Sequence, residues 1–138
     1  MSYLLDTNIL SETVKTAPNT NVLSWIESIP DESLFISVLT LGEIRRGIEK
    51  LDEGKKKRHL LVWLETDLQY WFSDRVLPVN YSVADRWGFV SAHMEKDKTS
   101  SAIDTLIAAT ALTHNLKMAT RNVRDFDIPG LEVINPFD

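Results

Sequence analysis

Apolar residues fall in short blocks, and the stretches between them repeat at helical spacing. Tyr3-Leu4-Leu5 stops at Asp6-Thr7-Asn8, the pattern of a buried strand running into a helix start. Ala17 to Asn21 is a loop rich in capping residues, and Val22, Trp25, Ile26 and Ile29 recur as a helix that Pro30 closes. Leu34 to Val38 predicts a second strand. Thr40 then opens a helix with Leu41, Ile44, Ile48 and Leu51 on one face. After a turn at Gly54, one long helix carries Leu60, Leu61, Leu64, Leu68 and Trp71 as its stripe. Val76 to Val79 is a third, short strand, followed by a helix with Val83, Trp87, Val90 and Met94. Glu95 to Ser101 is polar and loop-like. A helix with Ile103, Leu106, Ile107, Thr110 and Ala111 ends near His114-Asn115, and strands follow at Lys117 to Thr120 and Leu131 to Ile134.

Strands without polar alternation, separated by helices, predict a parallel sheet covered on both faces. The expected fold is a three-layer α/β/α domain with a central, mainly parallel sheet of about five strands. Residues 1–138 form one domain, since no linker or repeat divides them.

Composition narrows the chemistry. The hydrophobic fraction of 43% and charged fraction of 25% are those of a globular protein, so a disordered chain is not expected. No cysteine is present, which removes disulfides, thiolate zinc sites and a cysteine nucleophile. No apolar run is long enough for a membrane span, and the start lacks a signal-peptide pattern; a cytoplasmic protein is expected. The net charge of −5 argues against a simple basic nucleic-acid module. Acids gathered around metal ions would reverse the local field, so the distribution of charge matters more than its sum.

Four acids fall at comparable places. Asp6 follows the first strand. Glu43 lies in the first turn of the helix after the second strand, Asp104 in the first turn of the helix from Ile103, and Asp125 just beyond the fourth strand. In open parallel sheets, ligands bind at the carboxyl ends of strands near the point where strand order reverses. Three of the four also have a plainer reading. Thr40-x-x-Glu43 and Ser101-x-x-Asp104 have the form of capping boxes, and Asp6 that of an N-cap. The neighbours favour ligands. Asp104 shares a helix face with Ile107, Ala108 and Ala111, and Glu43 is in line with Gly47. Inward carboxylates need partners, and the strand ends offer chiefly Arg121. Divalent cations suit such a set, above all Mg²⁺, which favours carboxylates, retained waters and phosphate oxygens.

The chain resembles PIN-domain ribonucleases, in particular the toxins of VapBC-type bacterial toxin–antitoxin modules. The resemblance rests on Leu4 to Leu10, Ser37 to Gly47, Ile103 to Ala111, Ala119 to Phe126 and Val133 to Phe137, in that order along the whole chain. It implies a metal-dependent endoribonuclease acting as a toxin, with Mg²⁺ or Mn²⁺ held by Asp6, Glu43 and Asp104. The fourth acid is Asp125, as in some members; others carry an acid directly after the Thr-Arg pair, where this chain has Asn122. Thr7, Asn8, Thr120 and Asn122 are implied to orient ligands or substrate. The implied partners are a cognate antitoxin, an RNA substrate and a second copy in a homodimer. DNA would be met only through the antitoxin. The other reading is a PIN-fold binding or regulatory protein with weak catalysis.

The expected chemistry is hydrolysis by metal-activated water, leaving a 5′-phosphate and a 3′-hydroxyl. Arg45, Arg46, Lys50 and Lys55 to Arg58 hold seven of the fifteen basic residues. Arg45, Arg46 and Arg121 are candidate RNA contacts, although the interleaved Glu49, Asp52 and Glu53 also fit a solvated helix surface. Trp63, Tyr70, Trp71 and Phe72 suit either core packing or a partner surface. His59, His93 and His114 sit in no ligand motif. A haloacid-dehalogenase-type phosphatase would need an acid where Asn8 stands, and a receiver domain would need one at the end of the third strand, which continues Val79-Asn80-Tyr81.

Overall fold

The computed structural model describes residues 1–94 and 100–138. The expected loop from Glu95 to Ser101 therefore lies mostly outside the described residues. Five strands form one sheet in the order β3-β2-β1-β4-β5, and every pairing is parallel. They are β1 (Tyr3–Leu5), β2 (Leu34–Ser37), β3 (Val76–Leu77), β4 (Lys117–Ala119) and β5 (Val133–Ile134). Each is a residue or more shorter than its apolar block suggests, apart from β1.

Leu4 pairs with Phe35 on one side and Met118 on the other, so β1 is the centre of the sheet. The chain winds outward from β1 to β3, then crosses back over β1 to lay down β4 and β5. Strand order therefore reverses between β1 and β4, which is where a ligand cleft opens in such sheets.

Period-two alternation assigns the two faces. Tyr3 and Leu5 face a large core with Leu34, Ile36, Ile9, Leu10, Ile44, Ile48, Trp63, Leu64, Leu68 and Phe72. That layer is built by α1 (Thr7–Glu12), α2 (Thr20–Ser28), α3 (Val38–Glu49), α4 (Lys55–Val62) and α5 (Leu68–Phe72). Leu4 and Met118 face a smaller core with Val90, Ile107, Ala108, Ala111 and Phe126, under α6 (Tyr81–Ala92) and α7 (Ala102–Thr113).

Two local readings are corrected. Helix α3 begins at Val38, because the Ser37 hydroxyl accepts the Leu39 N–H (3.0 Å) and caps the helix at the strand end. Thr40 is thus interior and buried, no Thr40–Glu43 capping box forms, and Glu43 lies in the second turn. The helix expected after Gly54 is interrupted by a π turn at Trp63–Asp67. The extra residue turns Trp63, Leu64, Leu68 and Phe72 into the core and leaves Tyr70 87% exposed, so the aromatic run divides between core and surface.

Candidate active site

The site starts from a strand that runs out of apolar residues. Leu5 ends β1, and Asp6 N–H still donates to the Ala119 carbonyl of β4 (3.0 Å). The Asp6 carboxylate is buried, and its bonds fix both oxygens. One accepts the Thr7 N–H (2.8 Å), while the other accepts the Thr120 hydroxyl (2.7 Å) and the Asn8 amide (3.3 Å). Asp6 is thus an N-cap and a cleft residue at once; the two readings of the sequence do not compete.

The same lattice extends across the switch point. Asn8 Oδ1 accepts the Arg121 N–H (3.1 Å), and the Asn122 N–H donates to the Thr120 hydroxyl (3.0 Å). The Thr7 hydroxyl donates to Glu43 (3.2 Å), so one threonine links the first two acids through backbone and side chain. The Ser101 hydroxyl caps α7 by accepting the Asp104 N–H (3.1 Å), which leaves the Asp104 carboxylate directed at the cleft. Asp125 enters from a 3-10 turn, Val123–Phe126, anchored by buried Phe126. Its carbonyl accepts the Ser100 hydroxyl (2.7 Å).

These groups meet in a cavity of about 380 Å³ lined by Asp6, Glu43, Asp104 and Asp125 with Thr7, Asn8 and Asn122. Thr120 stands behind Asp6, fully buried. Ser11, Glu12, Lys15, Arg121 and Phe137 complete the lining. Arg45 and Arg46 do not reach it. Arg45 pairs with Glu65 (3.3 Å) and Glu49 (3.8 Å), while Arg46 lies close enough to favour the charge on Glu43. Lys57 from the same basic run is buried against Glu53 (2.8 Å), so much of that run is a paired helix surface.

The acids are in electrostatic conflict. Burial pushes the Asp6 carboxyl above its ordinary value, and Asp104 and Asp125 push it further, against the hydrogen bonds from Thr120 and Thr7. Burial also raises Glu43, with Asp6 and Asp104 adding to the rise against the Thr7 bond and Arg46. Among the described residues, no Lys or Arg is paired with any of the four. Nor do any three His, Cys, Asp or Glu side chains there close around one point as a finished cage. An open set of carboxylate oxygens has the donor chemistry that suits a hard divalent cation rather than the nitrogen and sulfur set of a structural zinc site.

Sequence reasoning passed over Glu12, Lys15 and Phe137. Glu12 is buried at the cleft wall, and its carboxyl is held low by the bond from Lys15, then by the Asn19 N–H (2.8 Å). The available signal was an acid three residues before a lysine at the end of the first helix.

A doubly wound parallel sheet with four carboxylates at its switch point defines an α/β protein with an acid-lined ligand cleft. Comparison with known proteins narrows that class. The profile of the PIN domain matches residues 3–129, and the chain belongs to the PIN-domain family. It is 36% identical over 135 residues to Toxin FitB of Neisseria gonorrhoeae, covering 97% of both chains. It is 33% identical to VapC ribonuclease Y4jK of Sinorhizobium fredii, over 98% of this chain and 97% of that one. Among solved structures it is similar to the crystal structure of FitAcB from Neisseria gonorrhoeae, with a TM-score of 0.90, 36% identity and 98% of each chain covered. It is also similar to a toxin–antitoxin complex from Klebsiella pneumoniae, with a TM-score of 0.70, 28% identity and 98% of each chain covered.

Proposed function

We propose that this chain is a metal-dependent endoribonuclease that acts as the toxin of a toxin–antitoxin pair. The observation that carries the reading is the meeting of Asp6, Glu43, Asp104 and Asp125 in one cleft with no basic partner among the described residues. The choice of RNA follows the ribonuclease among its relatives. The partner antitoxin follows the toxin–antitoxin complex. Mg²⁺, with Mn²⁺ as a substitute, is the cofactor that fits the donors. DNA contact through the antitoxin, a homodimer and a cytoplasmic setting complete the reading; no helix among the described residues is long and apolar enough to cross a membrane.

A bound divalent cation supplies an acidified water and neutralises phosphate charge. The chain's own part is orientation. Asp6 has both oxygens fixed by Thr7, Asn8 and Thr120, so it presents its remaining lone pairs in one direction. Glu43 follows that direction through the shared Thr7. Its raised affinity for protons also suits it to take the proton of an attacking water. Asp104 and Asp125 close the opposite side, and Asn122 offers an amide where a fifth carboxylate would add repulsion. No serine, histidine or cysteine side chain is needed as nucleophile.

The test is cleavage of a structured RNA pool by purified protein with Mg²⁺ or Mn²⁺. Cleavage that disappears with EDTA and in Asp6→Asn supports the reading. Cleavage that persists in both, or the absence of any cleavage together with no metal-dependent rise in Tm, overturns it.

A further inference from the structure

The cleft has an acidic floor and one wall of opposite character. On that wall the Arg121 guanidinium lies over the Phe137 ring, 4.7 Å from its centre. The ring packs against the larger core, and the segment is pinned by Asn21, whose amide donates to the Phe137 carbonyl (3.1 Å). The Arg121 backbone is held by Asn8 of the site itself. Beside it, Lys15 is tied to Glu12 but keeps 52% of its side chain exposed. Glu12 is 4% exposed, and its oxygens are taken by Lys15 and the Asn19 N–H, so the wall shows the solvent its cations.

We infer that this wall seats the nucleotide next to the scissile bond, its base stacked on the free face of Arg121 and its phosphate held by Arg121 and Lys15. Three properties favour that occupant. The Phe137 ring backs the guanidinium at 4.7 Å, and the plane of an arginine head group is a stacking platform for any base. Its edge still offers donors to phosphate oxygens. The wall and the four carboxylates line the same cleft, so a strand that crosses it meets both. Lysine at position 121 would supply the charge without the plane. The inference rests on the nuclease reading but can fail separately from it.

The experiment measures equilibrium binding of a labelled single-stranded RNA of mixed sequence to Asp104→Asn protein, in Mg²⁺, across a salt series. Adding Arg121→Ala is expected to weaken binding about tenfold and to lower the slope of log affinity against log salt by about 0.7. Adding Arg121→Lys is expected to keep the slope and still lose affinity. Phe137→Leu should do the same, with Tm measured to show an intact fold. Unchanged binding in all three, equal losses for Lys and Ala, or no RNA binding by Asp104→Asn protein at low salt overturns the inference. Loss of antitoxin capture with RNA binding unchanged would give the wall to the protein partner, and also overturns it. Cleavage by the unmutated protein is scored apart, so a failed wall leaves the nuclease reading standing.

Discussion

Asp6 and Asp104 face the same cleft but are held in opposite ways. Asp6 ends the central strand, is 6% exposed, and has both oxygens bonded to the chain. Asp104 is half-buried, and only its backbone is fixed, through the cap on α7. One half of the site is set by the sheet before any ligand arrives. The other half is carried in on a helix and has its charge unmatched among the described residues. A preorganised side plus a repelling side costs stability in the empty protein, and under the proposed function a bound cation would recover it.

The strongest break of that comparison is chemical. Asp6→Asn and Asp104→Asn should each lower the cleavage rate by about a thousandfold or more in single-turnover assays, since several kcal/mol of charge stabilisation is lost. A loss for Asp6→Asn alone would show that the helix-borne acid is dispensable. The next effect is thermodynamic. At about a hundred times its Kd, Mg²⁺ should stabilise the unmutated protein by about 2.7 kcal/mol, read as a rise in Tm, and Asp104→Asn should show little of it.

Thr120→Val sharpens the comparison from the rigid side. It removes the 2.7 Å bond to Asp6 at a fully buried position, and should cost about 1–3 kcal/mol in urea unfolding. Activity should fall with it while the Mg²⁺ concentration needed rises. The corresponding backbone-capping change, Ser101→Ala, should cost about 1 kcal/mol and leave the Mg²⁺ requirement nearly unaltered.

The smallest effect concerns pH. Asp6 and Glu43 have folded-state affinities for protons above their ordinary values. Their stabilising contribution is therefore complete below the unfolded pKa and is lost as pH rises through the folded one. In EDTA the protein should lose stability over that rise. Asp104→Asn removes a like charge from both acids and should be the more stable protein at neutral pH, by about 1 kcal/mol. The gap should close at acid pH, and a gap unchanged with pH would refute the repulsion.

Much of this was legible in short stretches. Leu4-Leu5-Asp6 states a buried strand and a polar exit, and parallel winding then places Asp6, Glu43, Asp104 and Asp125 on one rim. Boundaries set by rival local bonds were not. Thr40 and Glu43 fit a capping pattern, yet the Ser37 hydroxyl captures the helix first. The π turn left no trace, because an apolar stripe reads alike with or without one extra residue. The wall of Lys15, Arg121 and Phe137 joins three segments distant in sequence, and only the closed sheet brings them together.

The Asp6–Thr120 bond ties residues 114 apart along the chain. Synthesis delivers the amino-terminal part first. A growing chain that already carries Asp6 and Glu43 still lacks the Thr120 hydroxyl just past β4 that orients one acid and the turn that brings in Asp125. The cleft is therefore a late product of folding, assembled only when β4 slides in beside β1. An unfinished chain therefore carries two of the acids without the bonds that orient them.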